Sequence, residues 1–469
     1  MENLSITTIM QHDGEVKLKD KLAIVFQLSI PAILAQISEI IMEYIDAGMV
    51  GSLGAEASAS IGLVASSTWL LGGLLSACVS GFSVQVAHAT GANNISEAKH
   101  IFRQAIVTCF IYGLIFTVIG VVLSNYLPIW LGAEQSLWND ATLYFKYFSV
   151  FIIVRQFNIL SAQMLQCTGD MKTPSLFLTL SCILDVIFNF FFIFPSRDIT
   201  VLHHTFHVFG FGMGVLGAQI GTSLSILVAG LGGFYFATIK NPTLKLTDEK
   251  GSWMPKKETL QKAFRIGGPL ALQQSGLSLA QIVATRIVAP LGTIAIAANS
   301  FAVTVESICY MPGFGISSAA TTLVGQSFGA RKKDLAKSFA WIATSLGMFV
   351  MASVGMIMFF FSPYIFQLLT PVKEVQELGV EVIRVQLLVE ALFAAAIVVL
   401  GCLRGAGDTL IPGIINICCM WFIRLTLAAF LAPRIGLIGV WIAMAIDNSV
   451  AGILMLIRLY RGKWLERLN

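Results

Sequence analysis

Charge is what this sequence has least of. Only 12% of its 469 residues are Asp, Glu, Lys or Arg, against about 25% in a typical soluble domain. So few charges exclude an ordinary water-facing surface, and a net charge of +4 is too small to imply a nucleic-acid partner. Strict apolar–polar alternation is also missing, which excludes a transmembrane β-barrel. The eight cysteines (Cys78, Cys109, Cys167, Cys182, Cys309, Cys402, Cys418 and Cys419) sit in or beside apolar runs without metal-ligand spacing, and read as small packing residues. No nucleophile–base pair, metal set or cofactor motif is found, so neither an enzyme nor a cofactor is expected. His203, His204 and His207 cluster, but no Cys or acid completes a metal set. No cleavable signal peptide is expected either. Residues 1–20 are polar, and the first apolar run, flanked by Lys17, Lys19 and Lys21, is too long for a signal core.

What the chain has is apolar mass: 56% hydrophobic residues, with 33 Phe and 41 Gly, and a mean hydropathy of +0.80. Lipid leaves no water for unpaired backbone groups, so spanning segments must be helices or closed barrels. A spanning helix needs roughly 20 apolar residues. Twelve runs meet that need, near 22–49, 59–88, 104–126, 141–166, 174–195, 213–239, 263–289, 296–327, 337–361, 379–403, 410–432 and 437–460. The expected fold class is all-α and polytopic. Lys and Arg set the orientation. Of the 30 such residues, 22 fall in segments on the N-terminal side, three (Arg197, Lys373, Arg434) in loops opposite, and five within the runs. Both termini are therefore expected in the cytoplasm, with the chain in the cell membrane.

The sequence overlays on itself at a shift of 238 residues. Pro31 meets Pro269, Gln36 meets Gln274, Gly91-Ala92 meets Gly329-Ala330, and Gly169-Asp170 meets Gly407-Asp408. After residue 412 the shift falls to 222, which assigns about 16 extra residues to the first half, in the loop 196–212. Each half has an even number of spans, so the repeat is parallel, related by an axis along the membrane normal. The expected organisation is a cytoplasmic segment 1–21, a six-helix bundle 22–239, a cytoplasmic linker 240–262, a second six-helix bundle 263–460 and a tail 461–469. Two equivalent bundles with a cleft between them suit alternating access. A channel would need symmetric charge rings, yet Asp46 corresponds to Ala284 and Asp185 to Ile423.

Burying a charge in a membrane costs about 2.5–3.5 kcal/mol on the lenient insertion scale. Eight acids lie in the runs: Glu39, Glu43, Asp46, Asp185, Glu306, Glu381, Glu390 and Asp447. Together they would cost more than the net stability of most domains, so most must be protonated, paired or wet. Glu39, Glu43 and Asp46 share one helix face at i, i+4 and i+7, and Asp185 and Asn189 share another at i and i+4. Glu381 lies toward an interface, and Asp447 suits a bond to a neighbouring helix. Glu39, Glu43, Gln36, Gln274, Glu306 and Glu390 are the candidates for lining a substrate cavity. Asp170 and Asp408 are placed to cap the helices that carry Pro174 and Pro412 in their first turns.

Four stretches carry a family likeness: Ile45-Asp46-Ala47-Gly48-Met49-Val50-Gly51-Ser52-Leu53-Gly54; Met311-Pro312-Gly313-Phe314-Gly315 with Leu323-Val324-Gly325-Gln326-Ser327-Phe328-Gly329-Ala330; Leu403-Arg404-Gly405-Ala406-Gly407-Asp408-Thr409; and Gly439-Val440-Trp441-Ile442-Ala443-Met444-Ala445-Ile446-Asp447. With them the chain resembles the MATE (multidrug and toxic compound extrusion) family over nearly its whole length. The resemblance implies two lobes forming a V. It also implies a cation-coupled (H⁺ or Na⁺) antiporter that exports small amphipathic or cationic organic compounds, with a flippase of a lipid-linked or amphiphilic metabolite as the alternative. Partners would be small organic substrates and membrane lipid, and the working unit a monomer. Asp46 matches the family's first-span Asp, and Thr222 its sixth-span hydroxyl. Where one branch has Asn-x-x-x-Asp before Phe-Ile-Phe, this chain has Asp185-x-x-x-Asn189 before Phe192-Ile193-Phe194. The implied cation-coupling set is thus Asp46, Asp185, Asn189 and Thr222. The seventh-span Glu of another branch is absent; Gln273, Gln274 and Gln281 stand in that run.

Overall fold

The computed structural model describes residues 6–11, 16–201, 204–247 and 251–468. The apolar runs form helices, as backbone in lipid must. Span 1 is Leu18–Gly51, span 2 Ala55–Gly91, span 3 Ile95–Leu123, span 5 Lys172–Ile193 and span 6 Gly214–Lys240. Span 8 is Thr293–Gly329, span 9 Lys333–Leu369, span 11 Leu410–Ile435 and span 12 Leu437–Arg461. Span 7, Lys257–Val288, is as long as these but less apolar, because its first turns carry Lys257, Glu258, Lys262 and Arg265. Among the described residues twelve spans result, in two bundles of six.

Spans 4 and 10 depart from the sequence reading, which took each as one straight helix. Span 4 joins Gln135–Val150 to Ile152–Cys167 at 50°, and span 10 joins Lys373–Leu387 to Glu390–Gly405 at 56°. The hinge residues are Phe151 (φ −90°, ψ 8°) and Val389 (φ −107°, ψ 6°), both in the sparse bridge region. They lie 238 positions apart. Neither is Pro or Gly, so the usual local causes of a kink are missing.

The extra residues of the first half, read as loop, form a β-hairpin: β1, Pro195–Val201, pairs antiparallel with β2, His204–Phe211. Arg197 covers the rings of Phe190 and Phe194, at 4.8 and 3.9 Å from their centroids, and Phe211 stacks on Phe192 at 4.8 Å. These contacts fix the hairpin to the end of span 5. His207 pairs with Asp198 at 2.7 Å, both exposed. His203 lies outside the described residues.

Within the first bundle span 2 packs on spans 3 and 4, span 5 on spans 1 and 6, and span 4 on span 6. In the second, span 8 packs on spans 9 and 10, span 12 on spans 10 and 11, and span 7 on span 11. Between bundles span 1 lies on span 8, span 7 on span 2, and span 2 on span 8. These contacts are reciprocal. A Cβ on Gly91 would strike the Gln326 carbonyl, and one on Gly329 would strike the His88 carbonyl. Gln36 Nε2 donates to Met311 Sδ at 3.8 Å, while the Gln274 side chain fills the space beside Gly73. Both pairs of contacts map onto each other under the 238 shift, so a two-fold axis along the membrane normal runs between spans 2 and 8.

The bundles are sealed at the end that carries both termini. Val79–Ala87 of span 2 and Thr322–Phe328 of span 8 are buried on every side. The short helix Ile6–Gln11 adds Ile6, Ile9 and Met10 to a core with Met171, Phe328 and Trp464. His88, Phe328 and Trp464 stack in series, 6.0 and 5.7 Å apart. In the opposite halves only one stripe of each helix is buried: Ala57, Ser60 and Val64 on span 2, and Ala295, Ala298, Ala302, Val305 and Cys309 on span 8.

The two capping aspartates differ. Asp170 Oδ1 accepts from the Thr173 backbone N–H at 3.0 Å, as a helix cap should. Asp408 instead pairs with Arg458, at 2.6 and 3.1 Å.

The glycine crossing yields a stability prediction. Gly91→Ala and Gly329→Ala should each destabilise the protein by about 1–3 kcal/mol, the usual range for overpacking, and lower the midpoint of thermal unfolding. Gly62→Ala, where an added Cβ meets nothing within 4 Å, should leave the midpoint unchanged or slightly raised.

Candidate cation-coupling site

Span 5 brings Asp185 and Asn189 to one face, four residues apart. Both are fully buried. Span 6 approaches closely because Gly221 lies against Asn189, where any Cβ would clash with the Asn189 amide oxygen. That approach places Thr222 and Ser225 beside Asp185. Span 1 contributes Asp46 from its far half.

The Asn189 amide joins the two acids. Its Nδ2 donates one hydrogen to Asp46 Oδ1 at 2.9 Å and the other to Asp185 Oδ2 at 3.1 Å. Its Oδ1 is buried without a hydrogen-bond donor. Ser225 Oγ lies 3.4 Å from Asp185 Oδ1 and 2.8 Å from the Thr222 carbonyl. The Thr222 hydroxyl donates to the Ala218 carbonyl at 3.0 Å, which leaves its lone pairs for another partner. Two carboxylates, an undonated amide oxygen and a hydroxyl therefore converge. Oxygen donors of this kind suit a proton or a hard cation such as Na⁺. The exchanged order of acid and amide on span 5 keeps both side chains in the cluster.

No Lys or Arg forms an ion pair with Asp46 or Asp185 among the described residues. Arg155, just past the span 4 hinge, is the basic group that faces Asp185 from further off. Its guanidinium sits 4.6 Å from the centre of the Phe148 ring, and its Nε has no acceptor.

The candidate cavity residues divide. Glu39 is half-buried and Glu43 exposed, on the same side of span 1 as Asp46. Gln36 and Gln274 are the matched inter-bundle contacts described above. Glu306 and Glu390 are buried inside the second bundle. Neither Glu390 carboxylate oxygen has a hydrogen-bond partner, and the Gln386 amide, four residues earlier across the hinge, is equally unpaired. Arg424 is within electrostatic reach of both Asp447 and Glu306 but directs its Nη atoms at the sulfurs of Met420 and Met444, 3.7 and 2.8 Å away. Gln386 was not a candidate from sequence; only its position four residues before Glu390 hinted at it.

Two six-span bundles in parallel repeat, with a buried acid–amide cluster tied to the span that crosses between them, define a secondary membrane transporter. The family model MatE matches residues 31–191 and again residues 269–430, starting at the two equivalent prolines. The chain belongs to the MatE family. The probable multidrug resistance protein NorM of Thermotoga maritima is 27% identical over 94% of this chain and 92% of its own length. The uncharacterized transporter YisQ of Bacillus subtilis is 25% identical over 96% of both chains. Among solved structures, a MOP superfamily transporter from Pyrococcus furiosus superposes with a TM-score of 0.87 at 21% identity, covering 98% of each chain. The Vibrio cholerae MATE transporter VcmN in the bent form gives 0.83 at 17% identity, covering 96% of this chain and 98% of its own.

If the amide bridge holds the cluster, Asn189→Ala should destabilise the protein by about 1–3 kcal/mol, the penalty for leaving buried acceptors unpaired. The loss should shrink in an Asp46→Asn, Asp185→Asn background. A double-mutant cycle by reversible unfolding in mixed micelles measures that coupling.

Proposed function

We propose that this protein is a cation-coupled antiporter that exports small amphipathic or cationic organic compounds across the cell membrane. The observation that carries this reading is the Asn189 amide held between Asp46 of span 1 and Asp185 of span 5. Span 1 also lies along span 8 of the other bundle, where Tyr44 Oη donates to the Thr304 carbonyl at 2.7 Å. A proton or Na⁺ entering the cluster satisfies the carboxylates and frees the amide. The seating of span 1 then changes, and with it the contact between bundles.

The excess of Lys and Arg on the terminal face orients that face to the cytoplasm. The sealed end is then the inner gate, and the bundles stand open outward. Glu39 and Glu43 give the outer half of the cleft its negative charge, which suits an organic cation. Each coupling charge moving inward through 100 mV supplies about 2.3 kcal/mol. Two ions would sustain a gradient of roughly a thousandfold for a substrate without net charge, at about 1.4 kcal/mol per decade, and about two decades at most for a monovalent cation, whose own exit costs about 2.3 kcal/mol. The protein works as a monomer on this reading, because the cluster and both bundles come from one chain. Names of the relatives agree: NorM of Thermotoga maritima is described as a probable multidrug resistance protein.

Proteoliposomes loaded with a fluorescent organic cation test the proposal. An imposed inward H⁺ or Na⁺ gradient should drive dye out against its own gradient, and the ion that works identifies the coupling. Asp46→Asn and Asp185→Asn should each lower the driven rate at least tenfold. Normal driven efflux in both variants would remove the cluster from the mechanism.

A further inference from the structure

The sealed inner gate is not solid. Between spans 2, 4, 8 and 10 lies a cavity of about 130 Å³, room for a few waters or one small ionic group. It straddles the two-fold axis, because about half of its lining comes in mates under the 238 shift: Ser80 with Ser318, Ser83 with Thr321, Val84 with Thr322, and Gln166 with Arg404. The last pair sets a guanidinium opposite an amide.

The hydroxyl hydrogens are already engaged. Ser80 and Ser83 donate to Gln163 Oε1 at 3.2 and 3.3 Å, Ser317 to the Ile397 carbonyl at 2.9 Å, and Thr322 to the Gln166 carbonyl at 3.0 Å. Ser318 donates to Gln166 Oε1 at 3.0 Å, which turns the Gln166 NH₂ away from that bond. The Arg404 Nε is buried without an acceptor. Among the described residues no carboxylate pairs with Arg404. The Gln163 amide donates to Ser76 Oγ at 3.0 Å; the donor groups with no protein acceptor among the described residues are thus the Arg404 guanidinium and the Gln166 NH₂, which line one cavity.

We propose that this cavity is an oxyanion subsite, in which Arg404 and Gln166 hold the carboxylate of a zwitterionic substrate as it enters from the cytoplasmic face. A planar guanidinium presents paired N–H groups that match a carboxylate, and burial makes an unpaired one costly. The substrate part of the proposal rests on the export function above and narrows its class: a cationic group for the acidic outer cleft, an anionic group for the inner subsite. The oxyanion site itself stands independently of export.

Two arms test it. In the first, the purified full-length protein is unfolded thermally while sodium acetate replaces sodium chloride at constant ionic strength. A saturable rise in the midpoint is expected for the wild type. Arg404→Gln should abolish it, and Gln166→Ala should raise its half-saturating concentration severalfold. Absence of a saturable rise in the wild type, or an equal rise in Arg404→Gln, overturns the site, and the wild-type titration decides even if the variant does not fold. The second arm compares export of rhodamine B, which carries a free carboxylate, with rhodamine 6G, its esterified cationic relative. Arg404→Gln should raise KM for rhodamine B about tenfold and change that for rhodamine 6G less than twofold. If both dyes shift alike, or neither shifts, the substrate assignment falls, and a free oxyanion becomes the occupant of a site upheld by the first arm. If the wild type exports neither dye under any ion gradient, the export function fails while the acetate titration still decides the site.

Discussion

Backbone-to-backbone contact across the two-fold axis is the constraint on which the rest of the molecule depends. Lipid offers helices little hydrophobic reason to associate, so close approach through small residues must supply the packing. Gly91 and Gly329 let spans 2 and 8 cross where any side chain would meet a carbonyl, and Gly81, Gly267 and Gly315 do the same where span 2 meets span 7 and span 8 meets span 1. That crossing fixes the relative angle of the bundles. It also sets which ends close and which stand apart.

The acidic groups use this frame unequally. In the first bundle Asp46, Asp185 and Asn189 form one hydrogen-bonded unit joining spans 1 and 5. Their counterparts in the second bundle are Ala284, Ile423 and Leu427, which are unable to build the same unit. There Glu306 and Glu390, opposite Thr68 and Ile152 in the repeat, are enclosed by helices, as is Asp447. A shared fold therefore carries two chemically different interiors. The Arg404 guanidinium in the cavity at the sealed end follows the same pattern, with Gln166 in the matching place.

Much of this was legible in the sequence because it rests on strong, local signals. Long apolar runs announce spans, Lys and Arg mark a side, and Pro31, Pro269, Gly91 and Gly329 keep constant register through the repeat. Asp185 and Asn189 were readable as partners because four residues is one helical turn. The hinges at Phe151 and Val389 were not readable. Their residues have ordinary helical tolerance, and only packing against other spans selects the bend. The strands of the hairpin are hidden in the sequence because the segment shows itself only as the surplus of the first half between two spans. The burial of Glu390 and Gln386 depends on how spans 8, 9 and 10 rotate against one another, which no single helix encodes. The partner of Asp408 lies 50 residues away in Arg458, too far for local capping rules to anticipate.

The paired hinges carry a consequence for the repeat. Phe151 and Val389 occupy equivalent places yet share no residue type that would produce a bend independently. A bend common to both halves therefore belongs to the repeated packing and not to either local sequence. The reciprocal crossing of residues 88 and 91 with 326 and 329 is the contact that two identical six-span chains in the same membrane orientation would make. Joining two copies into one polypeptide removed the requirement that they be identical. An aspartate could then be kept on one side only, and an arginine on the other, which a symmetric dimer of one gene product could never arrange.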